Sequence, residues 1–196
     1  LFLTLLASFA LLAISIVLHS PLTLVDLRAE QYLFSIRSPF LLSFFSYITV
    51  TGSTLFVSIL AGIGVCLLFF KKQKRHAAGL LITVLGATGT GFFLKHLIER
   101  ARPPLPIASV VETSFSFPSG HATATAALYG FVAFYLWRTR NTKAQKWVAV
   151  GSMLCVIGLI GFSRLYLGMH FPTDIVAGYL LGALWLIIGM RIATAR

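Results

Sequence analysis

The chain has 196 residues, of which 58% are hydrophobic and only 11% charged, with a formal net charge of +11. A soluble domain runs nearer half apolar and a quarter charged, so a water-soluble globule is excluded. The positive charge does not point to nucleic acid either, because most of it is gathered between long apolar blocks.

The first block, Leu1–Leu18, is long and has no basic segment before it. It is expected to be a retained helix rather than a cleaved signal peptide. From Ser20 to Thr49 the chain mixes Asp26, Arg28, Glu30 and Arg37 with Leu22, Leu24, Leu27, Leu33 and Phe34. That mixture fits one or two helices lying in the membrane interface, or a plain connecting loop. The second span, Val50–Phe70, leads into the cluster Lys71, Lys72, Lys74 and Arg75. The third, Ala77–Leu94, opens into a segment from Lys95 to Gly120 whose Pro103, Pro104, Pro106 and Pro118 forbid a continuous helix. The fourth, Ala122–Trp137, is followed by Arg138, Arg140, Lys143 and Lys146. The fifth, Trp147–Phe162, is joined to the sixth, Ile175–Met190, by a short segment from Ser163 to Asp174.

The expected architecture is therefore all-α: a polytopic bundle of six transmembrane helices with interfacial helices on its outer face. Residues 1–196 form a single domain with no room for a soluble one. Both basic clusters fall on one side, as do Arg191 and Arg196, and the positive-inside rule makes that side cytoplasmic. Arg28, Arg37, Lys95, Arg100, Arg102 and Arg164 lie on the other side, where that rule does not account for them. Cys66 and Cys155 sit inside spans with no disulfide or metal spacing, and are expected to pack as small apolar residues.

Three polar clusters sit at the outer ends of spans three to six. In the first, a helix carried through from Lys95 to Arg102 would put both cations on one face, where they can grip an anion. In the second, Phe117-Pro118-Ser119-Gly120-His121, Ser119 is a helix N-cap and Gly120 lets an anion approach the free N–H groups of the first turn. In the third, Asp174 lies four residues beyond His170, in reach of a ring N–H, so it can fix the tautomer and present the other ring nitrogen as a nucleophile. Arg164 adds a bidentate fork for phosphate. Ionisable groups at membrane depth are costly and default to a functional reading. A pocket of cations, histidines and one carboxylate suits phosphoryl transfer.

The order Lys95-x6-Arg102-Pro103, then Pro118-Ser119-Gly120-His121, then Ser163-Arg164-x5-His170-x3-Asp174, resembles the type 2 phosphatidic acid phosphatase superfamily. The resemblance implies a membrane lipid phosphatase in which His170 attacks phosphorus to form a phosphohistidine and Asp174 orients it. His121 would protonate the leaving oxygen and then activate water. Lys95, Arg102, Ser119, Gly120 and Arg164 would hold the phosphate oxygens.

Neither metal nor cofactor is expected, since the cations do that work and Glu99 and Glu112 are the sole carboxylates near the motifs besides Asp174. The resemblance implies as substrate phosphatidylglycerol phosphate, undecaprenyl pyrophosphate or phosphatidic acid. The alternatives are a dedicated undecaprenyl pyrophosphatase or a lipid A phosphatase. The expected partners are the lipid phosphate and membrane lipids, with no nucleic acid and no obligate protein partner. The expected location is the cytoplasmic (inner) membrane, with the site facing the extracytoplasmic side. An anion transporter is disfavoured because the polar groups gather at one side rather than along a path across. Beside the motifs, His96, Glu99 and Arg100 read as solvated or interfacial, and Phe115, Phe117, Tyr166 and Phe171 as interfacial aromatics.

Overall fold

A computed structural model describes residues 1–104 and 114–195. They form eight helices and no strand among the described residues: α1 (Phe2–Val17), α2 (Leu22–Ser35), α3 (Pro39–Val50), α4 (Thr54–Phe70), α5 (Lys74–Ile98), α6 (Gly120–Thr139), α7 (Lys143–Tyr166) and α8 (Pro172–Thr194). Each of the six expected spans falls on one of these helices. Four stretches are long and apolar enough to cross a bilayer, namely Pro39–Phe70, Lys74–Ile98, Lys143–Tyr166 and Pro172–Thr194. α1 and α2 pass the same test only as a pair bent by 83°. α6 falls short on composition, its first half being rich in small and hydroxyl-bearing residues that pack inside the bundle. Its residues Ala122 to Leu128 are buried, and the Thr123 and Thr125 hydroxyls among them donate back to the Ser119 and His121 carbonyls at 2.9 and 2.8 Å. The count of six spans is thus approximate.

Local chemistry sets the helix ends. Ser38, Ser53, Ser119 and Thr142 each accept a backbone N–H of the first turn of α3, α4, α6 and α7. α5 stops at Ile98 because Glu99 takes a left-handed conformation (φ 49°), and Arg102 then precedes a proline, which disfavours helix. The chain therefore does not carry Lys95 and Arg102 along one helical face. Arg102 reaches the site from the non-helical segment after α5 instead.

α3 also departs from expectation. It is not an amphipathic surface helix but runs on into α4 as one apolar stretch of 32 residues, broken only at Thr51-Gly52-Ser53. The sulfurs differ as well: Cys66 and Cys155 lie exposed on the outward surface of α4 and α7.

α8 is the central packing element, lying along α5, α6 and α1. Its contact with α6 is almost backbone on backbone. A Cβ on Gly178 would meet the Ala122 Cβ at 2.7 Å and the Ser119 carbonyl at 2.8 Å; one on Gly182 would meet the Ala126 Cβ at 2.6 Å and the Thr123 carbonyl at 2.7 Å. Small residues four apart are how helices approach closely where no hydrophobic effect drives them together. Here the approach brings the first turn of α6 against the first turn of α8.

Candidate active site

Four helix termini meet at one end of the bundle: the last turn of α5 with Lys95, the start of α6 with Ser119 and Gly120, the end of α7 with Arg164, and the start of α8 with Asp174. The turn from α7 to α8 uses Gly168 at a φ of 70°, a left-handed geometry that a side chain would disfavour. That turn aims His170 inward, leaving it 3% exposed. Pro172 then opens α8, and the Phe171 N–H donates to Asp174 Oδ2 at 2.9 Å, anchoring the carboxylate in the first turn.

His170 presents two distinct edges. Its Nδ1 lies 3.5 Å from Asp174 Oδ2 and 3.4 Å from Ser116 Oγ, and the Ser116 hydroxyl itself donates to Asp174 Oδ2. Its Nε2 lies 3.4 Å from Arg102 Nη1. With the Nδ1 proton directed at Ser116 and Asp174, Nε2 keeps its lone pair and faces a cation. Burial, joined by the charges of Arg164 and Arg102, pushes the His170 pKa down to about 4 against the pull of Asp174. The ring is therefore neutral, and so nucleophilic, at neutral pH.

Two of the cations, Arg102 and Lys95, are held by main-chain carbonyls. Arg102 donates from Nε to the Ser114 carbonyl at 2.6 Å and from Nη1 to the Met169 carbonyl at 2.7 Å, tying the start of the α6 cap segment to the α7–α8 turn. Lys95 Nζ donates to the Phe115 carbonyl at 2.5 Å, which Arg102 Nη2 also reaches at 3.3 Å. Arg164, 1% exposed, donates to Thr49 Oγ1 at 3.1 Å, so the end of α3 contributes to the site's wall.

Ser119 caps α6 through Ala122 N at 3.4 Å, while its own N–H donates to the Asp174 carbonyl at 3.0 Å. A cavity of about 230 Å³ is lined by Lys95, Ser114, Gly120 and Thr123 on one side and by Phe92 and Thr54 on another. The positive end of the α6 dipole thus opens beside Lys95.

His170, Asp174, Lys95, Arg102 and Ser119 are joined in one hydrogen-bonded cluster that includes Ser114, Phe115 and Ser116. Gly120 borders it, and Arg164 acts on it through its charge. His121, also in the first turn of α6, sets its ring against the α3–α4 break: a Cβ on Gly52 would come within 3.3 Å of its Cδ2. Glu112 and Pro106 lie outside the described residues.

Several neighbours differ from what the sequence suggested. Phe117, Tyr166 and Phe171 are core rather than interfacial, at 0%, 1% and 7% exposure. Phe117 packs on Phe9 of α1, and the Tyr166 hydroxyl donates to the Ile36 carbonyl and accepts the Ser38 N–H, both at 2.9 Å. Arg100 is not solvated: it bridges Asp174 Oδ1 at 2.5 Å and Asp26 Oδ2 at 2.7 Å. Asp26 and Glu30 face inward at 0% and 5% exposure instead of lying in the interface. Ser116, which links His170 to Asp174, belongs to none of the motifs the sequence offers. A faint signal existed for the bridge, since Arg100 was an outer cation without a task and Asp26 an outer carboxylate without one.

This geometry and the order of motifs define a class. The chain belongs to the PAP2 superfamily, whose family model matches residues 76–196. Phosphatidylglycerophosphatase B of Bacillus subtilis (strain 168) is 36% identical over 155 residues, which is 76% of this chain and 73% of that protein. An undecaprenyl-diphosphatase of Sulfolobus acidocaldarius is 30% identical over 122 residues, covering 60% of this chain and 55% of that protein. The crystal structure described as the first transmembrane PAP2 type phosphatidylglycerolphosphate phosphatase from Bacillus subtilis superposes with a TM-score of 0.87 at 30% identity, over 96% of this chain and 94% of that one. The chain is accordingly a multi-pass membrane protein.

Proposed function

We propose that this protein hydrolyses a phosphomonoester or pyrophosphate on a membrane lipid through a phosphohistidine intermediate. The observation that carries the reading is the pair of edges on His170, with Nδ1 facing Asp174 and Ser116 and Nε2 facing Arg102. In the first step Nε2 attacks phosphorus, the bond from phosphorus to the leaving lipid oxygen breaks, and His121 gives that oxygen its proton. Asp174 stabilises the positive charge the ring acquires. In the second step His121 takes a proton from water, the water oxygen attacks phosphorus, and the P–N bond breaks to release phosphate and neutral His170. Lys95, Arg102, Arg164, Ser119 and the Gly120 N–H bind the charge that builds on the phosphoryl oxygens.

The names of the relatives support phosphatidylglycerol phosphate and undecaprenyl pyrophosphate as substrate classes, and phosphatidic acid carries the same monoester. The test is phosphate release by purified protein in detergent from each of these lipids, with and without excess EDTA. The expected result is turnover of at least one lipid that chelation leaves unchanged. Release that stops with EDTA and returns with magnesium contradicts the metal-free mechanism.

We further propose that the site opens on the extracytoplasmic side of the cytoplasmic membrane, with no obligate protein partner. The basic turns Lys71–Arg75 and Arg138–Lys146 sit at the helix ends opposite the site, which supports that orientation. In a Cys66→Ser/Cys155→Ser background, a cysteine at exposed Ser35 should react with a membrane-impermeant thiol reagent in intact cells. A cysteine at exposed Lys74 should react only after lysis, and the reverse pattern overturns the orientation.

A further inference from the structure

The carboxylate that faces His170 does not stand alone. Asp174 Oδ2 is occupied by the Phe171 N–H, the Ser116 hydroxyl and His170, while Oδ1 accepts Arg100 Nη1 at 2.5 Å. Arg100 Nη2 donates to Asp26 of α2 at 2.7 Å, and its guanidinium lies 4.4 Å over the Phe171 ring. Asp26 accepts in addition the Thr173 N–H at 3.1 Å and the Thr173 hydroxyl at 2.5 Å. The Arg100 side chain is 10% exposed and the two carboxylates 1% and 0%. The result is a row of groups, Asp26–Arg100–Asp174–His170, built from three separate segments and nearly closed to water.

We propose that Arg100 and Asp26 are positioning residues for the reaction, holding Asp174 ionised and in register with His170, so that helix α2 is part of the active machinery rather than a surface appendage. This rests on the phosphatase reading above. The physical case is the arrangement of charge. The buried Asp174 carboxylate depends on the groups around it, the Phe171 N–H, the Ser116 hydroxyl and the His170 ring on Oδ2 and Arg100 on Oδ1, and Arg100 brings a permanent positive charge into direct contact with it. That cation is in turn held at the correct angle by a second carboxylate, which also limits how much of its charge Asp174 receives. The charged groups acting on the pair are Arg100 from the segment after α5, Asp26 from α2, Arg102 beside Nε2 and Arg164 from α7. His121 stands on the first turn of α6.

A bridge that merely stapled α2 to α8 and a bridge that tunes Asp174 make opposite predictions for a double variant. Arg100→Gln leaves two buried carboxylates facing each other with no cation between them, so one of them takes up a proton. The expected result is a fall in kcat of about 10²-fold with KM little changed, and an acid limb of kcat/KM moved to higher pH. Adding Asp26→Asn removes the repulsion. The double variant should regain about tenfold over Arg100→Gln, with its acid limb moved back toward that of the wild type. Arg100→Lys keeps the charge without the fork, so it should retain the wild-type limb at reduced kcat. Arg28→Gln, on the exposed face of α2, should change nothing.

The assay is turnover of phosphatidic acid in detergent micelles from pH 4 to 9, with gel filtration and Tm recorded for each variant. A monodisperse double variant that is no more active than Arg100→Gln overturns the proposal, as does an Arg100→Gln limb that stays where the wild type has it. Should Arg100→Gln fail the gel-filtration check, an Arg100→Lys limb shifted from that of the wild type overturns it equally. Wild-type protein that turns over no lipid phosphate removes the phosphatase reading itself and this inference with it.

Discussion

Replacing His170 with alanine is expected to leave no covalent phosphoenzyme and to drop turnover to background, whereas His121→Ala keeps the nucleophile and fails selectively. The difference follows from what each ring would do. In the proposed mechanism His170 forms the bond to phosphorus, for which no neighbouring group substitutes. His121 supplies a proton, a contribution typically worth about 10²–10⁴-fold, and a substrate with a good leaving group needs it less. His121→Ala should therefore retain measurable activity on an aryl phosphate while losing most activity on a phospholipid. Asp174→Asn should fall between the two, because it disturbs the Nδ1 edge without removing the ring. An alkaline quench preserves the acid-labile intermediate for counting. A phosphoenzyme present in His170→Ala and absent from His121→Ala would interchange the two assignments. The depressed pKa of His170, about 4, adds a sign: falling pH through the ordinary histidine range leaves Nε2 unprotonated. An acid limb of wild-type kcat/KM above pH 5 should then be insensitive to changes that act on His170 alone.

The second large effect is expected from Gly178→Val, a substitution that removes no polar side chain. Its Cβ would press on the Ser119 carbonyl at 2.8 Å and the Thr123 nitrogen at 3.0 Å, both main-chain atoms of α6. Neither can rotate away, so the two helices must separate. Overpacking of this kind costs about 1–3 kcal/mol and more where backbone has to move. The separation would also part the α6 N-terminus from the first turn of α8. Activity is expected to fall further than the loss of folded protein explains. The control is Gly151→Val on α7, where a Cβ meets nothing within 4 Å. Equal Tm and equal specific activity for the two variants would contradict this account of the packing.

The second and third clusters were legible because each is a short contiguous run whose chemistry is local, a cap serine beside a glycine or a carboxylate four residues from a histidine. The Lys95–Arg102 pair was legible as two cations but not in its geometry, since α5 ends at Ile98. The bridge to α2 was not, for a physical reason. Asp26 and Arg100 are 74 residues apart, and Asp26 with Glu30 repeats at the spacing of one helical face. A polar face turned toward the interface and one turned toward buried partners have the same periodicity, so only tertiary contacts separate them. α3 illustrates the complementary case. It is apolar enough to extend α4, but the charged residues from Asp26 to Arg37 just before it drew the whole segment up to Thr49 into one mixed polar and apolar run. α6 shows a third: its threonines lowered its apparent suitability as a span, while its burial removes the lipid contact that such a criterion assumes.

The hydrogen bond from the Ser119 N–H to the Asp174 carbonyl, 3.0 Å long, joins the two halves of the site through main chain alone. No substitution other than proline removes that donor, and none removes the acceptor. The separation between the start of α6 and the histidine turn is therefore insulated from side-chain drift. The exposed residues of α2, such as Arg28, lie outside that frame, so they can be rewritten one residue at a time. A protein organised in this way can acquire a taste for a different headgroup while its reacting atoms stay where they were.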